Sequence, residues 1–418
     1  MYLPHVEIRE PAALWRGDST PNILDAEGLA ATELDDLLRQ RADDQQDLPS
    51  IVVSRRSQRS VVEMAISRAG WSARRRGLLP TQGDVEREAL LIEPSPYRIE
   101  SLDDHDIDEV LALFDANFHA PRSRAHWDWK FDGNPYSQRN VALCRHEDGE
   151  LAAHYAAYEM RWRDAHQNRT HRALQIGDVM SAEAHRGVGR AHTSLLARTV
   201  LFFDARFSEE HVAFDFGFNT GSAWKFFIRF NRGEQVEAVT EWQRSTNRPL
   251  PPSVGRCRIR RVERVDSSFD RLFARAAPSY GALVERTAEW LKWRYLECPD
   301  APEYRIYAAH RWGRLVGWAV FRAVDDTLRW CDALTTPRRR DCMGLILEQA
   351  RNDHPACERM VAWFPDRPNW WSRELDRLGF DRRAQPDGLA LICAGRTEPD
   401  PVSLLGRSYY TWGDSDLA

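Results

Sequence analysis

Long hydrophobic runs are absent from this chain of 418 residues. The longest uninterrupted apolar stretches are only a few residues long, such as Val200 to Phe203, whereas a membrane-spanning helix needs roughly 18 or more. The N-terminal residues contain neither a basic start nor an apolar core, which excludes a secretory signal of the usual kind. We therefore expect no membrane span and a cytoplasmic location.

Cysteine is scarce and scattered. The seven cysteines are odd in number, and none of them belongs to a Cys-x-x-Cys motif. This pattern argues against a disulfide scaffold and against a zinc site. We expect no bound metal.

Lysine is almost missing, because only three of the 58 basic residues are lysine. We attribute this to codon bias in a GC-rich genome and keep arginine-specific recognition as the alternative. The net charge of −5 provides no overall basic surface, so nucleic acid is not an expected partner. A hydrophobic content of 43% and a charged content of 29% are typical of folded, water-soluble proteins. The length suggests two or three domains.

Two segments of opposite charge precede the first proline-rich boundary. Residues 1–49 are acidic and weakly periodic, which predicts a loosely ordered lead-in. Residues 50–94 show a strand pattern, a helix pattern and a second strand pattern, which predict a β-α-β-like segment. The arginines of this second segment can neutralise the lead-in, so we assign it no chemistry.

A new strand and helix pattern begins after Pro94-Ser95-Pro96, where the prolines end the preceding element. Between residues 95 and 246 the hydrophobic periodicity predicts the order β-α-β-β-β-α-β, with the second helix running from about Gly189 to Arg206. This order is typical of an α+β fold around a mostly antiparallel sheet.

Several landmarks recur later in the chain at one spacing. Trp129-Lys130-Phe131 is matched by Trp293-Arg294-Tyr295, 164 positions on, and Gly149 and Gly313 keep this offset. We therefore predict an internal duplication, with a proline-rich linker at 247–254 and a second, similar domain at 255–395. The tail, 396–418, is interpreted as a docked terminus or as a cover for an acceptor groove.

The most informative motif is a loop with two glycines, placed between a predicted strand and a predicted helix. It reads Arg186-Gly187-Val188-Gly189-Arg190-Ala191. Glycines let the backbone approach a ligand closely, and the N–H groups that open a helix attract anions. The loop therefore indicates a phosphate or pyrophosphate site, the alternative being a tight turn that needs only small residues.

This loop resembles the Arg/Gln-x-x-Gly-x-Gly/Ala signature of the GNAT superfamily of N-acetyltransferases. The resemblance covers about 97–245 and extends to the second copy. It implies two tandem GNAT-like domains, each with a mixed, mostly antiparallel sheet flanked by helices. It also implies that acyl-coenzyme A, with acetyl-CoA expected, lies between the fourth and fifth strands of the first domain.

The resemblance further implies which residues hold this cosubstrate. The backbone amides from Arg186 to Ala191 would bind the pyrophosphate. Val179 and Met180 would pair with the pantetheine arm and offer an N–H group to the thioester oxygen. Asn219 would contact the adjoining part of the molecule.

The second copy departs from the signature at the matching place. Asp341 and Met343 stand where the first copy has Gly187 and Gly189. A carboxylate repels a pyrophosphate, and bulky side chains block its approach. We expect one acyl-CoA site, in the first copy.

The residues that would move protons depart from the pattern that the resemblance implies. The tyrosine that the resemblance implies after the fifth strand is replaced by Phe226. Asp178 and Asp215 are the candidate bases, although Asp178 is matched by Asp332 in the second copy, which favours a structural role.

The sequence thus predicts an acyl-CoA-dependent N-acyltransferase that transfers acetyl from acetyl-CoA to an amine of a small molecule or amino sugar by direct attack. One alternative is a non-catalytic acyl-CoA sensor or scaffold, which Phe226 and the degenerate second copy favour. The other is an aminoacyl-tRNA-dependent transferase of similar fold, which the intact glycine loop disfavours.

Overall fold

The structure is a computed structural model of the whole chain. It describes residues 5–7, 11–14, 22–27, 29–43, 50–81, 85–119, 122–136, 139–190, 193–209, 211–230, 233–252, 256–397 and 400–416. No helix in these ranges combines the length and the apolar character that crossing a membrane requires.

The N-terminal residues form a five-stranded sheet with two helices. The elements are β1 (His5–Glu7), β2 (Asn22–Asp25), α1 (Ala31–Asp43), β3 (Ser50–Arg55), α2 (Arg59–Arg68), β4 (Trp71–Leu78) and β5 (Arg87–Pro94). The strand order is β1-β4-β5-β3-β2. The β-α-β pattern predicted from residue 50 corresponds to β3, α2 and β5, and β4 lies between α2 and β5.

The acidic lead-in differs from its prediction. β2 pairs with β3, and Leu34 and Leu38 of α1 are buried in the core of this sheet. Tertiary packing of an apolar face stabilises a short helix that its composition alone would not. The described residues 22–27 and 29–43 are therefore part of the N-terminal sheet.

The next eleven elements follow the predicted order and add two strands and two helices. They are β6 (Tyr97–Ser101), α3 (Ile107–Phe118), α4 (Arg124–Trp127), β7 (Asn140–His146), β8 (Leu151–Asp164), β9 (Arg169–Ser181), α5 (Leu195–Phe203), β10 (Phe214–Asn219), α6 (Gly221–Phe230), β11 (Glu234–Ala238) and β12 (Thr240–Ser245). We call these residues, 97–245, the first copy.

The same order of elements recurs in residues 258–395, which we call the second copy, with one extra short strand. The elements are β13 (Arg258–Val262), α7 (Ser267–Ala276), β14 (Ala282–Val284), α8 (Ala288–Leu291), β15 (Tyr304–Arg311), β16 (Arg314–Val324), β17 (Thr327–Thr335), α9 (Cys342–Asp353), β18 (Arg359–Trp363), α10 (Asn369–Arg377), β19 (Asp381–Ala384) and β20 (Ala390–Gly395). The tail then forms α11 (Pro401–Leu405) and β21 (Ser408–Tyr409).

The last strand of each copy lies in the sheet of the other copy. β20 is inserted between β10 and β11 of the first copy, and β12 is inserted between β18 and β19 of the second copy. The resulting sheets have nine and seven strands. This exchange differs from the predicted division at residue 246, because each sheet needs a strand from both sides of that boundary.

Two tryptophans at the predicted offset join the copies face to face. Their rings stack with centroids 5.1 Å apart. The Trp129 indole N–H donates to the Trp293 carbonyl oxygen over 2.7 Å, and the Trp293 indole N–H donates to the Trp129 carbonyl oxygen over 2.9 Å. This reciprocal pair places equivalent residues of the two copies on opposite sides of one contact.

Candidate functional site

Two neighbouring strands of the first copy, β9 and β10, separate partway along their length. They pair in parallel only over Ala173–Gln175 of β9 and Phe214–Phe216 of β10. A cavity of about 630 Å³ lies beside the unpaired parts of these strands, and we call it the large cavity. It is lined by Phe114, Phe118, Arg122, Tyr155, Gln175, Ile176, Gly177, Asp178, Val179, Leu196, Phe218, Asn219, Phe226, Phe227 and Asp416. The lining is largely apolar. Its charged residues are two aspartates, Asp178 and Asp416, and one arginine, Arg122.

A bulge in β9 lies at this separation. His154 of β8 is opposite Met180 and Ala156 is opposite Gly177, so that Asp178 and Val179 together face one residue of β8. Asp178 has a φ of 52°, a left-handed conformation that is uncommon for residues other than glycine. A bulge bends its strand and takes residues out of the hydrogen-bonded ladder, which leaves this part of β9 open to a ligand.

A buried histidine supports the bulge. The His154 Nδ1–H donates to the Asp178 carbonyl oxygen over 2.6 Å, since a carbonyl can only accept. Burial lowers the pKa of His154 to about 4, so the ring is neutral at physiological pH. His154 therefore supplies the donor that the bulge has removed from the ladder.

The side chain of Asp178 is held by two cations. The Lys130 ammonium donates to Asp178 Oδ2 over 2.9 Å, and the Arg122 guanidinium pairs with the same oxygen. Burial by itself would raise the pKa of Asp178, but the fields of Lys130 and Arg122 outweigh burial and lower this pKa to about 2. A carboxylate held in this way is a weak base, and Asp178 is better suited to positioning Lys130 and Arg122.

The matching aspartate of the second copy is buried differently. Asp332 pairs with Arg286 over 2.9 Å. Arg286 matches Arg122 at the offset of the tryptophans, and Asp332 follows Asp178 by 154 positions, so this pair is the equivalent of Asp178–Arg122. Burial, together with the neighbouring Asp414, outweighs Arg286 and raises the pKa of Asp332 to about 6.

The end of the tail brings a second carboxylate to the large cavity. The Asp416 side chain pairs with the Lys130 ammonium over 2.6 Å and is 23% exposed. It lies so close to Gly177 that a Cβ atom added there would stand 2.3 Å from Asp416 Oδ2. The glycine in β9 therefore makes room for this carboxylate.

A second cavity, of about 230 Å³, adjoins the first and lies between the two copies; we call it the small cavity. It shares three lining residues with the large cavity: Phe114, Arg122 and Asp416. The remaining lining residues are His126, Trp129, Lys130, Tyr158, Arg294, Cys298, Asp300, Tyr304 and Ser415. Asp416 thus stands at the junction of an apolar cavity and a polar one.

The sequence reasoning missed Arg122, Lys130 and Asp416. A signal for the first two was present, because Arg122 and Lys130 are matched by Arg286 and Arg294 at the offset of 164 that identified the duplication. Asp416 carried no such signal. The tail as a whole was interpreted as a docked terminus or as a cover for an acceptor groove, but nothing local indicates which of its residues reaches the cavity.

The glycine loop follows the end of β9 that borders the large cavity. Gly187 and Gly189 have φ values of 81° and 73°. A Cβ atom at Gly189 would stand 2.0 Å from the Thr193 carbonyl oxygen, whereas one at Gly187 would meet nothing within 4 Å. Position 189 therefore requires glycine because there is no room for a side chain. Position 187 favours glycine only because of its positive φ.

The prediction that the helix opens at Gly189 is wrong. α5 begins at Leu195, and the Ser194 hydroxyl caps it by accepting from the Ala197 N–H. Positive φ values at both glycines are incompatible with a right-handed helix, and a serine before two leucines is a strong N-cap signal. The loop is thus separate from the first turn of α5, although Leu196 in that turn also lines the large cavity.

The loop keeps only part of its backbone donors available. The N–H groups of Arg186, Val188 and Arg190 are bound within the loop, to Glu183, His185 and Thr193 respectively. The N–H groups of Gly187 and Gly189 have no acceptor among the residues that the structure describes. Ala191, the last residue of the predicted cradle, lies outside the described residues.

The other predicted cosubstrate residues lie around the same cavity. Val179 and Asn219 line it from opposite strands, whereas the Met180 side chain is buried in a hydrophobic cluster on α3 and β8. The Arg186 guanidinium bends back to bind the Ser181 carbonyl oxygen and the Asn117 side chain. It therefore braces the loop against α3.

The second predicted base lies elsewhere. Asp215 is fully buried and accepts from the Arg396 Nε–H over 2.9 Å, and Arg396 also pairs with Asp204. These contacts tie the residue after β20 to the first copy, and Asp215 does not line the large cavity. Phe226 does line the large cavity. Its phenyl ring therefore lies at the wall where the resemblance implied a tyrosine hydroxyl.

The corresponding opening of the second copy is closed by the tail. β17 and β18 also stop pairing partway, after Trp330 and Ala362. There the Trp412 ring stacks on Trp363 at 4.2 Å, and the Tyr409 hydroxyl donates to the Ala333 carbonyl oxygen. The tail thus fills the second opening.

The equivalent of the glycine loop is closed as well. α9 begins at Cys342, one residue after Asp341, and both Cys342 and Met343 are completely buried. In the second copy the tail fills the opening between the strands, and the helix starts without a preceding glycine loop. Among the described residues, only the first copy therefore has an open gap between its fourth and fifth strands.

Comparisons with known proteins find similarity in one region of the sequence and in the fold. Residues 98–218 match the family model described as the acetyltransferase (GNAT) domain. No curated protein matches the chain.

Solved structures share the fold at low sequence identity. A protein of Enterococcus faecalis V583, described as a probable N-acyltransferase, has a TM-score of 0.54 at 13% identity, over 71% of each chain. A GCN5-related N-acetyltransferase of Kribbella flavida scores 0.52 at 16% identity, over 71% of this chain and 70% of that one. The N-myristoyltransferase of Saccharomyces cerevisiae, with bound myristoyl-CoA, scores 0.50 at 12% identity, over 73% of this chain and 84% of that one. Residues 98–218 are thus similar to the acetyltransferase (GNAT) domain, and the chain shares its fold with these solved structures.

Proposed function

We propose that this protein transfers an acetyl group from acetyl-CoA to an amine of a small molecule or amino sugar. The observation that carries the proposal is the large cavity between the diverging strands β9 and β10. It offers an open strand edge at the Asp178–Val179 bulge for an extended pantetheine arm to pair with.

The groups around the cavity fit the parts of acyl-CoA. The free N–H groups of Gly187 and Gly189 suit the pyrophosphate, because main-chain donors in a glycine turn bind anions. The apolar walls suit the pantetheine and the acyl chain, and Asn219 is available to bind a pantetheine amide.

The acceptor amine would enter through the small cavity and meet the thioester beside Asp416. An amine that attacks the thioester carbon forms a new C–N bond and must lose a proton, while the C–S bond breaks and the thiolate leaves. Asp416 is the proposed proton acceptor, since it borders both cavities and pairs with one cation of the described residues where Asp178 pairs with two. With phenylalanine at position 226, the thiolate would take its proton from water.

The cosubstrate assignment is tested with two substitutions at one position. Gly187→Asp and Gly187→Asn both place a side chain on a left-handed residue, and a Cβ atom there meets nothing within 4 Å, but only aspartate adds a negative charge. We expect the asparagine variant to bind acetyl-CoA nearly as wild type does in calorimetric titration. The aspartate variant should bind about fivefold more weakly, since a charge near such donors is worth on the order of 1 kcal/mol. No binding by wild type, or equal binding by both variants, would contradict the site.

Turnover separates an enzyme from a sensor. Thiol release is measured with a panel of amines and amino sugars, and with acetyl-, octanoyl- and myristoyl-CoA as donors. A sensor would bind acyl-CoA without releasing thiol. A preference for a long acyl donor would retain the transferase and replace acetyl as the group transferred.

Asp416→Asn tests the proton acceptor. The variant should bind acetyl-CoA as wild type does, while its kcat/KM falls by roughly a hundredfold, the usual contribution of a general base. An unchanged kcat/KM across the pH range would remove Asp416 from the reaction.

A further inference from the structure

Six arginines converge on one face of the second copy. Two adjoining cavities, of about 300 and 350 Å³, lie between α7, the β15–β16 hairpin and the residues after β17. Their arginines are Arg271, Arg275, Arg311, Arg314, Arg338 and Arg339. Neither cavity is lined by a carboxylate. We call this region the arginine surface.

These arginines form no close ion pair within the described part of the chain. None of the six lies within 4.0 Å of a described carboxylate, although ion pairs of arginine are common elsewhere in the molecule. Arg271 and Arg275 are held in place by neutral acceptors, the Ser267 hydroxyl and the Leu315 carbonyl oxygen. The Nε atom of Arg311 is buried and has no hydrogen-bond partner, which is costly unless a ligand supplies an acceptor.

An exposed tryptophan stands at the tip of the hairpin. The Trp312 side chain is 85% exposed, and the Arg311 guanidinium lies over its ring, 4.5 Å from the centroid. Most of the other described tryptophans are buried, so this indole is an exception that the core does not explain.

The first copy offers a direct contrast at the same hairpin. Arg311, Trp312 and Arg314 are matched, 164 positions earlier, by Glu147, Asp148 and Glu150. The two hairpin tips share a fold and a positive-φ glycine and differ in charge. The arginine surface is therefore a property of the side chains and is not required by the hairpin.

Acyl-CoA is a poor candidate for this surface. The pantetheine opening of the second copy is filled by Trp412 on Trp363, and Cys342 and Met343 are buried where the glycine loop would lie. A ligand of the arginine surface has to be bound from outside, through its negative charges and a flat apolar group.

We propose that the arginine surface binds single-stranded nucleic acid. Guanidinium groups bind phosphates through two parallel hydrogen bonds, and an exposed indole is a platform on which an unpaired base stacks. An acidic protein would satisfy the arginines, whereas an unpaired strand supplies both the phosphates for the arginines and the flat bases for the indole. The net charge of −5 predicted no nucleic-acid partner, but binding depends on the local field, and this field comes from six arginines and no carboxylate in the two cavities.

The test uses the full-length protein and a fluorescein-labelled 12-nucleotide oligo(U), followed by fluorescence anisotropy from 50 to 200 mM salt. We expect binding that weakens with salt, with the slope of log affinity against log salt reduced by about 0.7 for each phosphate-binding arginine removed. Arg314→Ala and Arg338→Ala should each show this reduction. Trp312→Ala should lower the affinity at least about fivefold, as loss of one base–aromatic stack does. Glu147→Ala, the matched position in the first copy, should not weaken binding.

Three outcomes would overturn the proposal. The first is no binding at 50 mM salt by protein whose thermal transition is intact. The second is an affinity that Trp312→Ala leaves unchanged. The third is equal or tighter binding of a labelled oligo-glutamate, which would make this a surface for acidic proteins. The same titrations with a duplex should show weaker binding, since paired bases cannot stack on the indole. Acetyl-CoA binding is measured on each variant and should be unaffected, so this proposal fails or stands independently of the transferase.

Discussion

Gly177→Ala is the sharpest test of the arrangement around Asp416. An alanine Cβ at this position would lie 2.3 Å from Asp416 Oδ2, 3.0 Å from its Cγ and 3.3 Å from the Lys130 ammonium. Unstrained contacts lie near 3.5 Å, so the carboxylate must retreat by about 1 Å or more. The displacement would lengthen its 2.6 Å contact with Lys130 and move it away from the bulge.

The expected result is a large loss of activity with a small loss of stability. A reacting group misplaced by about 1 Å costs on the order of a hundredfold in rate. Overpacking typically costs about 1–3 kcal/mol, and we expect the low end because the Asp416 side chain is 23% exposed and can move. The assay is kcat/KM for thiol release together with the melting temperature, which should fall by only a few degrees.

Gly217→Ala is the matched control. Gly217 lies in β10 on the other side of the opening, and a Cβ atom there would make an ordinary contact of 3.5 Å with the Asn219 amide. This variant should keep most of its activity.

A double-mutant cycle with Asp416→Asn decides the cause. If Gly177→Ala acts by displacing Asp416, the two losses overlap, and the double variant is little worse than either single variant. Full activity of Gly177→Ala, or losses that add, would refute the role given to this carboxylate.

Two further predictions concern stability. The unfolded chain binds a proton at His154 near pH 6.5, whereas burial lowers the pKa of His154 to about 4 in the folded protein. The free energy of unfolding therefore decreases as the pH is lowered from 6.5 to 4, and the total loss below pH 4 is about 3 kcal/mol. His154→Asn can still donate to the Asp178 carbonyl oxygen and should show a smaller drop in melting temperature between pH 7 and pH 4; an identical drop would contradict a neutral His154. Trp412→Ala removes the buried ring that stacks on Trp363 and should cost about 3–5 kcal/mol. Trp312→Ala, at the exposed hairpin tip, should change stability by less than about 0.5 kcal/mol, and equal melting temperatures for these two variants would contradict the tail as a plug.

Local sequence signals predicted much of the first copy. The alternation and helical spacing of apolar residues located β6 to β10 and α3, and the offset of 164 between the tryptophan motifs anticipated the recurring element order. Gly187 and Gly189 were recognised because a positive φ favours glycine at an individual position, and this preference is visible in the local sequence. The helix start was misplaced because the cap at Ser194 was overlooked in favour of the glycines.

Only the tertiary structure decided how these parts are joined. β12 and β20 read as ordinary strands, and no local pattern states that each pairs within the other copy, since strand pairing depends on which edges are free once the sheets form. The site depends on the same long-range choices. Arg122 and Lys130 meet Asp178 across a bulge, and Asp416 reaches Gly177 only because the tail first fills the second opening. Composition and periodicity determine elements one at a time, whereas the charge that faces the large cavity is set by contacts between residues far apart in the chain.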